Sequence, residues 1–186
     1  MEIEVSKKLF TVDEFYQMAE VGILSPEDRV ELVDGEIIRM CPIGTRHLGC
    51  VNRTTEVLVG ALRGRVVVSV QNPLRLNNFT EFQPDIVLLK PRKDHYGSKH
   101  PMAEDAISVI EVSDTTFRYD HDVKLKRYAT AGIPEVWIVN PVQNELMVFR
   151  DPANDQYQTE ITRRPGESIT LSSFPDAAFK TEDFLG

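Results

Sequence analysis

Three short runs constrain this chain most: Asp-Ile-Val-Leu-Leu at 85–89, Ala-Ile-Ser-Val-Ile-Glu-Val at 106–112 and Val-Trp-Ile-Val at 136–139. Each is strand-sized and apolar at consecutive positions, whereas a strand with one wet face alternates. Between the second and third, 119–131 spaces Val123, Leu125, Tyr128 and Ala131 on neighbouring helical stripes before Gly132 and Pro134 stop the pattern. Strands buried on both faces and interleaved with helices imply an α/β sheet with helices on each side.

The flanking sequence adds smaller units. Thr11 and Glu14 form a capping-box pair that opens a helix over 12–20, and Ser25-Pro26 breaks the chain after it. Two strands, 30–33 and 36–40, meet at Asp34-Gly35, a pair that tolerates the positive φ of a tight hairpin turn. Leu48, Val51, Leu58 and Leu62 mark an amphipathic helix over 47–62, with Gly64 as its C-terminal stop. Strands are expected at 66–70, 73–76, 146–149, 157–162 and 168–171, and 91–105 reads as a surface loop without periodicity.

Composition narrows the function. With 21 Lys and Arg against 29 Asp and Glu, the 186-residue chain has a formal charge of −8, which argues against a strong non-specific grip on nucleic acid. No apolar stretch is long enough to cross a membrane, and the N-terminus lacks the features of a secretory signal, so a cytoplasmic protein with no membrane partner is expected. Cys41 and Cys50 have no paired spacing and read as free, semi-buried thiols.

Some of the acids stand where the core should be. Asp85 opens one apolar run and Glu111 interrupts another, and a carboxylate there is costly unless paired, hydrogen-bonded or bound to a metal. Taken alone, Asp85 is equally a strand-entry residue capping a turn, and Glu111 an edge position paired with a base. Two acids on separate central strands can converge at one sheet end and present hard oxygen ligands suited to Mg²⁺ or Mn²⁺. On the next helix Asp120, Lys124 and Tyr128 are spaced four apart, placing an ammonium on the face toward such a site, or forming an ordinary exposed ion pair. Lys126 points to another face.

Pro84-Asp85 followed by Glu111-Val112-Ser113 resembles the PD-(D/E)XK nuclease signature. More closely, Arg29 to Glu36, His47, the two acids, Asp120 to Tyr128 and Ala131 to Val139 together resemble the Uma-type restriction endonucleases over about 11–149. The resemblance implies a restriction-endonuclease-like core (helix, three strands, helix, strand) with an N-terminal β-hairpin and a C-terminal β extension over 150–186, all in one domain. It implies Asp85, Glu111 and the Val112 carbonyl as metal ligands, Glu31 as an outer acid from the hairpin and His47 near the site. The superfamily lysine two residues after the third-strand acid is Ser113 here, and the Uma-type pattern offers Lys124 as its replacement. For Glu31 the competing reading is the polar face of a hairpin strand, and for His47 a plain helix-start residue.

The expected function is a divalent-metal-dependent endonuclease that hydrolyses DNA and forms a homodimer. The alternative is an inactive homodimeric binding or regulatory module on the same fold. A small-molecule hydrolase is disfavoured by the lack of a Gly-x-Ser-x-Gly nucleophile motif. DNA contacts are expected from a basic strip, Lys90, Arg92, Lys93 and Lys99.

Overall fold

A computed structural model describes residues 6–25 and 27–186. Pro26 of the breaker pair and residues 1–5 at the N-terminus lie outside the described residues. Helix α1 (Val12–Glu20) starts at the expected capping box: Thr11 Oγ1 accepts the Glu14 N–H at 3.2 Å, and the Glu14 carboxylate accepts the Thr11 N–H at 2.8 Å. Strands β1 (Val30–Val33) and β2 (Glu36–Arg39) form the expected hairpin, with Asp34 and Gly35 at φ of 50° and 80°. Gly35 is required twice over, because a Cβ there would lie 2.6 Å from Leu9 Cβ.

Helix α2 (Thr45–Leu62) leads into β3 (Val67–Val70), then a short hairpin of β4 (Leu74–Asn77) and β5 (Thr80–Phe82), then β6 (Ile86–Leu89) and β7 (Ala106–Val112). The helical segment that follows is made of α3 (Phe117–Tyr119), a π turn (Asp120–Lys124) and α4 (Leu125–Thr130). Next come β8 (Glu135–Asn140), β9 (Glu145–Ala153), β10 (Gln156–Arg163), β11 (Ser168–Leu171), β12 (Phe174–Lys180) and α5 (Glu182–Leu185).

The main sheet runs β10-β9-β8-β7-β6-β3, and within it only β7 and β8 are parallel. That pair needs a crossover connection, which is why the helical segment lies between them. A second sheet, β2-β1-β5-β4, combines the N-terminal hairpin with the β4–β5 hairpin. The segment 73–76 therefore belongs to this second sheet, and the three core strands preceding the crossover are β3, β6 and β7.

The lack of alternation in the central strands is explained by cover on both faces. Ile86, Leu88, Ile110, Trp137 and Val139 pack with Cys50, Leu58 and Leu62 of α2 and with Phe179 and Phe184. Val87, Leu89, Val109, Val136 and Ile138 pack on the opposite side with Tyr128, Phe82 and Leu74. The C-terminal segments are tied in by Glu135, whose carboxylate accepts from Trp137 Nε1 at 2.6 Å, Arg150 Nη2 at 3.0 Å and the Ser172 N–H at 2.7 Å. Among the described residues both cysteines are free, as expected, but neither is semi-buried: Cys50 of α2 is fully buried in the core, and Cys41 is exposed where the chain leaving β2 lines an open cleft. Among the described residues no helix is long and apolar enough to cross a membrane.

Candidate active site

A cleft of about 790 Å³ opens between the β2–α2 connection and the segment joining β7 to α3. Its apolar lining comes from Ile38, Met40, Pro42 and Ile43 with Phe117 of α3, and the rest of the lining includes Glu31, His47, Asp85, Glu111, Asp120 and Lys124. The fold thus brings the sequence-derived side chains together. Asp85 stands at the entry to β6 and Glu111 near the end of antiparallel β7, so both reach the same end of the sheet. Glu31 projects from β1, His47 from the first turn of α2, and Lys124 from the end of the π turn.

Each carboxylate is held by named donors. Asp85 accepts from His47 Nε2 at 2.8 Å, Gln71 Nε2 at 3.2 Å and the Val112 N–H at 2.9 Å. The Asp85 N–H in turn donates to Glu111 Oε2 at 3.2 Å, a direct link between the two acids. The other oxygen of Glu111 accepts from Tyr128 Oη at 2.6 Å and Lys124 Nζ at 3.1 Å. Glu31 accepts from the Gln83 N–H at 2.8 Å, lies 3.2 Å from Lys124 Nζ, and accepts from Tyr119 Oη at 3.3 Å. It is buried, so the reading of Glu31 as the wet face of a hairpin strand does not hold. Covering by the second sheet and the crossover helix is what the local alternation could not reveal.

Lys124 is 5% exposed and lies 3.9 Å from Asp120, so it is not half of an ordinary surface ion pair. Burial alone would lower its pKa, but the Glu111, Glu31, Asp120 and Asp85 carboxylates hold it well above the usual lysine value. The π turn accommodates an extra residue in the helix between Asp120 and Lys124, a device that re-aims side chains. Ser113, at the superfamily lysine position, is buried and donates to Asp120 Oδ2 at 2.8 Å; Thr116 Oγ1 donates to the same oxygen at 2.5 Å. An ammonium reaches Glu111 from the crossover helix, that of Lys124 at 3.1 Å.

The charge balance is lopsided. Burial pushes Glu111 up to about 8; Lys124 opposes this, while Asp120 and Asp85 add to it. Burial likewise raises Asp120, against the pull of Lys124. His47 is raised, chiefly by its hydrogen bond to Asp85, against the desolvation that would lower it. Four acids surround one lysine and one histidine, so the cleft floor is short of positive charge. Its hard oxygen donors and acid surplus fit a divalent cation such as Mg²⁺ or Mn²⁺. Among the described residues no group of three or more His, Cys, Asp or Glu side chains is arranged to hold a metal ion.

The basic strip lies elsewhere. Lys90 follows the far end of β6 from Asp85, about 17 Å along an extended strand. Lys90 Nζ donates to the Glu104 carbonyl at 2.6 Å, and Arg92 is bound to Asp94. Tyr119, Gln71 and Asp120 are site residues that the sequence reading did not single out as such. Of these, Asp120 carried a signal, its spacing from Lys124, whereas Tyr119 and Gln71 carried none.

The family model described as "Uma2: Putative restriction endonuclease" matches residues 12–182. Among solved structures, the chain is similar to a putative nuclease belonging to DUF820 from Anabaena variabilis ATCC 29413, with a TM-score of 0.74. The two are 16% identical over 95% of this chain and 97% of that one, a likeness of fold. Among curated proteins none matches.

Proposed function

Since the chain belongs to the Uma2 family of restriction-endonuclease-like proteins, we propose that it is a divalent-metal-dependent endonuclease that hydrolyses DNA phosphodiesters in the cleft around Asp85 and Glu111. The observation that carries this reading is the convergence of both acids with Lys124, whose ammonium is 3.1 Å from Glu111 and 3.2 Å from Glu31 at the cleft floor. Asp85 and Glu111, with the Val112 carbonyl, would hold Mg²⁺ or Mn²⁺. When bound, such an ion lowers the pKa of its water and neutralises charge on phosphoryl oxygens.

The remaining roles belong to the chain's own side chains. Lys124 is a fixed positive charge aimed where negative charge develops on the phosphate, and its placement between two acids removes the cost of reorienting it during reaction. Tyr128 and the Asp85 N–H hold the two oxygens of Glu111, and His47, Gln71 and the Val112 N–H hold Asp85, so both acids keep one orientation. Tyr119 and the Gln83 N–H fix Glu31, which keeps Lys124 in place.

A second reading, a DNA-binding relative without catalysis, is favoured by one observation: both oxygens of Asp85 and of Glu111 already accept from protein donors. Isothermal titration with Mn²⁺ separates the two. The nuclease reading expects binding that is lost in Glu111→Gln and kept in Ser113→Ala. Absence of Mn²⁺ binding to the wild-type protein would favour the inactive module.

A further inference from the structure

The cleft carries positive charge that the chemistry at its floor leaves unused. Arg29 and Arg39 line it from the hairpin, where Val30 pairs with Arg39 and the Met40 N–H donates to the Arg29 carbonyl at 2.8 Å. Arg118 lines it from α3. Arg46, Arg65, Arg75, Arg92, Arg127 and Arg150 form ion pairs with carboxylates, and Arg53, Arg63, Arg163 and Arg164 do not line the cleft. By contrast, among the described residues no carboxylate oxygen lies within 4.0 Å of the guanidinium groups of Arg29, Arg39 or Arg118. Arg29 gives one N–H to the Cys41 carbonyl at 3.3 Å, and the rim acid Asp114 is taken by Arg46 at 3.2 Å. Three guanidinium groups without a direct ion pair therefore line the cleft that holds the acidic floor, Arg39 sharing only the longer-range charge of Asp28.

That arrangement has a physical use. A polyanion crossing a floor made of Glu31, Asp85, Glu111 and Asp120 is repelled unless its neighbouring charges are met at the lip. Guanidinium forks match phosphate oxygens bidentately and are more weakly hydrated than ammonium groups. We infer that Arg29, Arg39 and Arg118 grip the backbone phosphates that flank the phosphodiester at the floor. The inference rests on the nuclease reading and adds the substrate-holding residues to it. It accounts for a DNA-acting chain with a net charge of −8: the grip is confined to the cleft lip, where it fixes register without reading sequence. It also moves the contacts away from the strip at Lys90 to Lys99, whose end of β6 is remote from Asp85.

Fluorescence anisotropy with a fluorescein-labelled 20-base-pair duplex of mixed sequence tests this, with Ca²⁺ replacing Mg²⁺ and NaCl varied. In the double variant Arg39→Gln/Arg118→Gln, both exposed positions, Kd is expected to rise at least tenfold and the slope of log Kd against log salt to fall by about 2. Lys93→Gln/Lys99→Gln should keep the wild-type values. Wild-type affinity and slope in the arginine variant, or an equal loss in the lysine variant, would overturn the inference. Plasmid cleavage with Mn²⁺ distinguishes the two levels. If cleavage depends on Asp85 while the arginine variant binds normally, the grip is wrong and the nuclease reading stands. If wild-type protein neither binds nor cleaves, both fall.

Discussion

Replacing Lys124 with methionine keeps most of the side-chain volume and removes the lysine charge at the cleft floor. Its three contacts, at 3.1, 3.2 and 3.9 Å, each represent about 4–5 kcal/mol of attraction at an effective dielectric near 20. Much of that offsets the desolvation of a side chain that is 5% exposed, so the net effect is set by the acids left behind. Breaking a buried pair on one side costs about 3–5 kcal/mol. With a urea m-value of about 2 kcal/mol/M, the midpoint should drop by roughly 2 M in the presence of EDTA. Adding Glu111→Gln removes the acid left without its ammonium and, in melts above pH 8 where Glu111 is ionised, should return more than 1 kcal/mol, a coupling read directly from a double-mutant cycle. A loss below about 1 kcal/mol in the single variant, or strict additivity in the double, would refute the idea that Lys124 is the counter-charge of a buried acid cluster.

Other perturbations address separate parts of the molecule. Glu81 is buried with Oε2 unpartnered, and burial raises its pKa above 4.5 despite the Tyr16 hydroxyl at 2.6 Å. The folded state therefore binds its proton more tightly than the unfolded chain, and wild type should gain stability over Glu81→Gln as pH falls from 8 toward 4.5. Urea melts across that range check it, and a gain in the opposite direction contradicts it. Gly35→Ala forces a side chain onto φ of 80° and against Leu9, so a loss of about 1–3 kcal/mol is expected in thermal unfolding. Glu135→Ala leaves the Trp137 and Ser172 N–H donors without their acceptor and Arg150 with the Thr170 carbonyl in place of a carboxylate. It should cost about 3 kcal/mol and speed proteolysis of the C-terminal segments under native conditions.

Asp85 and Glu111 were legible because a carboxylate inside an apolar run has few ways to be stable, and the chain announces the conflict locally. The sheet core was legible for a related reason, since strands without alternation require cover on both faces. Glu31 was ambiguous: Val30-Glu31-Leu32 alternates like any half-exposed strand, and its burial depends on β5 and α3, which are distant in sequence. Lys124 looked like half of a surface pair because helical spacing cannot report which face is buried or that a π turn intervenes. Strand β12 escaped notice because Phe-Pro-Asp-Ala-Ala-Phe-Lys has weak strand propensity; pairing with β11 and burial of Phe179 hold it. The arginine lip was invisible in one dimension, since Arg29, Arg39 and Arg118 become neighbours of one cleft only when the hairpin and the crossover helix are assembled.

The most direct measurement is the nicking of supercoiled plasmid under single-turnover conditions, comparing wild type with Asp85→Asn in Mn²⁺ and in EDTA. Metal-dependent cleavage by wild type is expected, abolished by EDTA and reduced at least a hundredfold by Asp85→Asn while the variant stays folded. Equal cleavage by the two proteins, or none by either across Mg²⁺ and Mn²⁺, would contradict it.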